Sequence, residues 1–226
     1  VIGGAVAGIS YTISSYTNPR VQELTKAEYD SYGIPDTGEA LDPSVNTLRK
    51  TFHDAGWDKM NTGVKQFYAD HVSGGYTKSG DLYINSKGVE VIAYTRRNFW
   101  SGNTSSISFS KFAFSNKMGL NLTMMHELGH STINLNNNLN SFLQYKTKNG
   151  YESELLFPGA QGEFGKISIE HAAIWGIERD FMKLNGLTQL PRFFDSSWKD
   201  VFNDYIYNSI QFRRVYDAIK HLPVKI

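Results

Sequence analysis

Met118-Gly119-Leu120-Asn121-Leu122-Thr123-Met124-Met125-His126-Glu127-Leu128-Gly129-His130-Ser131 is the stretch from which the rest of the chain is read. It is expected to be a helix, and on a helix residues four apart lie one above the other on one face. His126 and His130 can then present their imidazoles to a single ion, with Glu127 beside that face. Two imidazoles at this spacing suit zinc, which draws the pKa of a bound water towards neutrality. Glu127 is placed to take the proton from that water and pass it to a leaving amine. Gly129 weakens the helix relative to alanine, which points to a close approach by the sheet or another helix. Met124 and Met125 read as core.

Composition narrows the chemistry. The chain has 226 residues, 40% of them hydrophobic and 14% aromatic, enough for one good-sized core rather than a disordered or fibrous chain. A formal net charge of +1 indicates neither nucleic acid nor an anionic membrane as a partner. There are no cysteines, so disulfides, thiol nucleophiles and thiolate metal sites are excluded, and a metal must be held by His, Asp or Glu. Residues 1–17 form an apolar, glycine-rich lead. It is too short, and too interrupted by Ser10, Thr12 and Ser14, to span a bilayer. Residues 18–226 read as one domain.

Around the motif the elements fall into two parts, a sheet-bearing one at about 45–131 and a helical one at about 165–226. Arg20 to Tyr32 looks helical, and Ser44 can cap a helix from Val45 to about Ala55. Asp81–Asn85 and Val89–Thr95 read as strands joined through Ser86-Lys87-Gly88. Ser105–Ser115 reads as a third strand with a change of phase between Ser110 and Lys111, and its serines and Lys111 suit a sheet edge. The asparagines from Asn134 to Asn140 suggest a surface loop. Ile167–Leu184 is an amphipathic helix ended by Asn185-Gly186, and aromatic helical sequence follows Pro191.

A catalytic zinc site normally takes three protein ligands. The position six residues beyond His130, where one further histidine would complete a three-histidine motif, is Asn136. The later helix offers Glu170 and His171. Glu170 shares a stripe with Ala173, Ile174, Ile177 and Phe181, where an unpaired carboxylate is costly and a metal-bound one is compensated. His171 points about 100° away. Glu170 is therefore the expected third ligand and His171 the alternative, with Glu152, Glu154 and Glu163 still open. Glu178, two turns on, is either a partner that supports a ligand or a solvated charge, and the solvated charge is the favoured reading. His53, His71 and His221 are isolated and read as surface residues.

The motif, with a strand before it and a distant helix carrying a glutamate after it, resembles the zincin metallopeptidases, and among them the gluzincin type. Ile169-Glu170-His171 stands where gluzincins carry Asn-Glu. The resemblance covers about Asp81 to Asp180. It implies an α+β zincin-like fold: a small, twisted, mostly antiparallel sheet packed on the motif helix, with an edge strand that binds peptide backbone. Ser105, Ile107, Phe109 and Lys111 are the residues expected there. It further implies one Zn²⁺ and hydrolysis of a protein or peptide. The opening, running into Ile9-Ser10-Tyr11, is similar to the junction that precedes the C-terminal toxin domains of rearrangement-hotspot polymorphic toxins, and Glu170-His-Ala-Ala173 is similar to the downstream helix of some of them. That implies a secreted or delivered bacterial toxin domain with a cognate immunity or inhibitor protein. A housekeeping exported zinc peptidase and a catalytically silent zinc-binding module are the alternatives.

Overall fold

A computed structural model describes residues 22–35, 38–97, 105–144, 146–147, 150–151, 154–158, 164–187 and 209–226. Within them the chain is α+β, with a mixed open sheet and six α-helices. The apolar lead, the opening that carries the toxin resemblance, Glu152, Glu163 and the sequence from 188 to 208 lie outside the described residues.

The sheet runs β2 (Val64–Ala69), β6 (Ser105–Phe109), β5 (Glu90–Arg97), β4 (Leu82–Ile84), β3 (Thr77–Ser79). A further short strand, β1 (Glu23–Thr25), pairs antiparallel with β5. The β4–β5 hairpin turns through Ser86-Lys87-Gly88 as the sequence suggests. The Asn85 side chain accepts from the Lys87 and Val89 amides, and Gly88 takes a positive φ of 77° that favours glycine. Near its start β5 is irregular: Ile92 and Ala93 both join the main core, whereas Val91 and Tyr94 face a smaller cluster with Tyr83. Two successive residues on one face are the mark of a bulge, and the β1 register shifts at the same place.

Ser105–Phe109 is not at an edge. It pairs parallel with β2 on one side and antiparallel with β5 on the other, so Ser105, Ile107 and Phe109 are buried. Its expected second half is instead a 3₁₀ turn, Lys111–Phe114, with Lys111 ion-paired to Asp81. On that side the edge is β2, in which Phe67 alone is buried and the other residues are exposed or half-buried, so that it carries little hydrophobic signal.

Among the described residues, six helices pack with this sheet. They are α1 (Lys26–Ser31), α2 (Val45–Asp54), α3 (Lys117–Leu135), α4 (Asn137–Gln144), α5 (Ile169–Leu184) and α6 (Ile210–Ile219). Ser44 caps α2 by accepting from the Thr47 amide, as predicted. The expected helix from Arg20 is replaced by β1 and then α1, because Thr25 takes an extended conformation and caps α1 through the Glu28 amide. The asparagine run is not a loop: Asn134 lies in the last turn of α3, Asn136 caps it and α4 follows, with Asn134 and Asn140 buried.

The motif helix α3 lies between the sheet and α5. From Gly119 to Asn134 every residue is buried. Gly129 permits the contact with α5, since a Cβ there would sit 3.2 Å from Ile174 Cγ1 and 3.3 Å from Ile177 Cδ1. Leu120, Leu122, Met124, Met125 and Leu128 bury their side chains in the same core. Each such burial stabilises by roughly 1.5–3 kcal/mol. Among the described residues, no helix is long and apolar enough to cross a membrane.

Candidate metal centre

The face of α3 that meets α5 carries His126 and His130, stacked one turn apart as their spacing requires. Both are fully buried. Their Nε2 atoms lie 3.2 Å from each other. Their Nδ1 atoms point the other way, each to a carboxylate from α5: His126 Nδ1 to Glu178 Oε1 at 2.7 Å, and His130 Nδ1 to Glu170 Oε1 at 2.6 Å. His171, also fully buried, brings a third imidazole. Its ring centroid is 5.2 Å from that of His130 and 6.1 Å from that of His126. One nitrogen from each of the three rings lies within 4.8 Å of the others.

This donor set fits a divalent ion. Where Glu170 and Glu178 are ionised, as a cation bound nearby would favour, each Nδ1 carries the proton and each Nε2 turns a lone pair towards the other, so that the two acceptors at 3.2 Å repel without a cation between them. Where the carboxyls are protonated, as burial favours in the metal-free protein, an Nε2–H to Nε2 hydrogen bond spans the same distance. For nitrogens at 2.0–2.1 Å from tetrahedral zinc the mutual separation is about 3.3 Å, close to the spacing found. Carboxylates on Nδ1 are the usual way to fix the tautomer and orientation of a ligating histidine. The three histidines and the neighbouring glutamates could therefore hold a metal ion.

Electrostatics follow from burial. Glu127, Glu170 and Glu178 are each pushed up to about 8, first because burial penalises the charged carboxylate. Opposing effects come from His126 and the Thr95 hydroxyl at Glu127, Gln22 at Glu170 and Tyr32 at Glu178. Burial also holds His130 and His171 well below the ordinary imidazole value, with His126 adding to the effect on His130 and with His130 and then His126 adding to it on His171. Neutral imidazole is the form that ligates a metal.

Glu127 occupies a different layer. One residue on from His126, its carboxylate reaches the sheet, where Oε1 accepts from the Leu24 amide at 3.1 Å and Oε2 from the Thr95 hydroxyl at 2.7 Å. Thr95 also donates to the Glu127 carbonyl at 3.0 Å.

The structure thus brings His126, His130, His171, Glu170 and Glu178 together, with Glu127 next to them. It does not bring Ser105, Ile107 or Phe109 to an open face, and Lys111, which is exposed, lies on the 3₁₀ turn paired to Asp81. Glu178, read from sequence as a solvated charge, is fully buried against His126 and the Tyr32 hydroxyl. His53, His71 and His221 are exposed, as read from the sequence.

Sequence reasoning missed a group before residue 33. Glu28 accepts from Trp175 Nε1 at 2.8 Å and lies 4.0 Å from His126 Nδ1. Gln22 exchanges two amide hydrogen bonds with Asn134, at 2.9 and 3.0 Å, and reaches Glu170 Oε1 at 3.3 Å. These residues carry no motif; only their packing against distant helices gives them a part. Compared with known proteins, the chain matches no family model, no curated protein and no solved structure.

Proposed function

We propose that this chain is a zinc-dependent hydrolase of peptide bonds, of zincin-like design, with His126, His130 and His171 as metal ligands. The observation that carries the reading is the pair of Nε2 atoms 3.2 Å apart whose Nδ1 atoms are both engaged by buried carboxylates. Glu170, the third ligand favoured from sequence, is placed here on His130 Nδ1. It fixes that ring, and His171 supplies the third nitrogen. Zinc so held supplies Lewis-acid polarisation of a carbonyl and acidification of water. Glu127, one residue on from His126, is the proton acceptor, and it can return the proton to the leaving group. Glu170 and Glu178 hold the two motif rings in register. The toxin setting, with delivery into a target cell and a cognate immunity protein as partner, rests on the opening residues and on Glu170-His-Ala-Ala173.

A zinc-binding module without catalysis is the second reading, favoured by one observation. His126, His130, His171 and Glu127 are all fully buried, which suits a closed structural site as well as a gated catalytic one. Glu127→Gln separates the two. On the peptidase reading the variant keeps one zinc per chain and loses hydrolysis of an unstructured protein substrate by about a hundredfold or more. An active wild type with an equally active variant removes Glu127 from the chemistry. Wild-type protein that binds zinc and cleaves nothing leaves the silent module.

A further inference from the structure

Resting on the metal-centre reading, we propose that residues 22–32 form a strap that gates the site and must lift before anything from solvent can reach the histidines. Since the three imidazoles and Glu127 are fully buried, access requires some element to move. Both α3 and α5 carry core on several sides and cannot leave without opening the fold. The strap buries Leu24, Tyr29 and Tyr32 in the same core, but its hold on the sheet is slight. Among the described residues, β1 has three residues, pairs with β5, and its register is broken between Leu24 and Thr25. A short strand with one neighbour is the kind of element that opens locally below the cost of global unfolding.

The strap's bonds converge on the site. Among the described residues, the hydrogen bonds to Glu127, Glu170 and Glu178 from outside α3 and α5 come from Leu24, Gln22 and Tyr32 of the strap and from Thr95. Glu28 adds the bond from Trp175, and Gln22 ties the strap to Asn134 at the end of α3. Successive strap residues thus cover Glu170, Glu127 and Glu178 in turn. Lifting the strap bares the Glu127 carboxylate and the edge of β5 that β1 now fills.

The test uses the absence of cysteine from the chain. Leu24 faces Ala93 across the β1–β5 pair, and antiparallel partners stand at about the Cα separation a disulfide accepts. The full-length Leu24→Cys/Ala93→Cys variant can therefore be locked by oxidation and released by reductant, and reductant alone leaves the parent chain unchanged. The readout is acylation of His126, His130 and His171 by diethylpyrocarbonate in chelator-treated protein, located by mass spectrometry. Exposed His53 serves as the reagent control.

The locked form should react at the three buried histidines on the order of thirtyfold more slowly than the reduced form, with His53 unchanged. A second variant, Gln22→Ala, removes only the bonds to Asn134 and Glu170 and should speed acylation several-fold. Equal rates in the locked and reduced forms, or in Gln22→Ala and the parent, would overturn the gate. Should the paired variant not fold, Gln22→Ala decides alone. Zinc content of the untreated parent is measured separately, so a failed metal reading is distinguishable from a failed gate.

Discussion

The two faces of α3 hold adjacent residues for different purposes. His126 and His130 look to α5, where every polar partner is a side chain: two imidazoles, two carboxylates and a third histidine. Glu127 looks to the sheet, where its partners are a backbone amide and a hydroxyl. A step of one residue turns a helix by 100°, so the spacing that aligns the imidazoles sends the glutamate into another layer. The candidate metal face and the sheet-docking face should therefore fail in different ways when altered.

The largest effects belong on the α5 face. His126→Ala or His130→Ala should reduce zinc from one per chain to near zero by elemental analysis, with the helical circular dichroism kept. His171→Ala should do the same, whereas Glu170→Ala should weaken zinc binding by about 10–100-fold, as loss of an orienting carboxylate does. Competition with a chelator measures both. If Glu170→Ala loses the metal and His171→Ala keeps it, the glutamate is the ligand.

The sheet face should show smaller, metal-independent effects. Thr95→Val leaves a buried Glu127 oxygen without its donor. It should cost about 1–3 kcal/mol in denaturant unfolding of metal-free protein, while zinc affinity changes little. A large loss of zinc affinity would mean that the two faces are not separable. Smallest is Gly129→Ala: a better helix former, set against a Cβ 3.2 Å from Ile174, should give a net loss of about 1 kcal/mol in the same measurement.

The same contrast explains what the sequence could disclose. His126 and His130 were legible because their relation is local, four residues on one helix. So were the Ser44 cap and the β4–β5 hairpin, which depend on a few neighbouring residues. Choosing between Glu170 and His171 by an apolar stripe was unreliable because α5 is buried nearly all round from Ile169 to Glu178. When every side is covered, periodicity no longer separates a core face from a wet one. The same burial turns Glu178 from a supposed surface charge into a partner of His126.

Ser105–Phe109 read as an edge because its serines are polar, yet its place was decided by a distant parallel partner, β2, which has little pattern of its own. The strap was illegible for a related reason. Gln22, Leu24, Glu28 and Tyr32 reach the site through side chains of helices more than a hundred residues away. Nothing in their local spacing marks them.

X-ray absorption at the zinc edge of the purified full-length chain bears most directly on the convergence of the three rings. Three imidazole nitrogens at about 2.0–2.1 Å, with the multiple-scattering pattern of histidine rings, are predicted. A chain that takes up no zinc, or binds it through oxygen atoms alone, would contradict it.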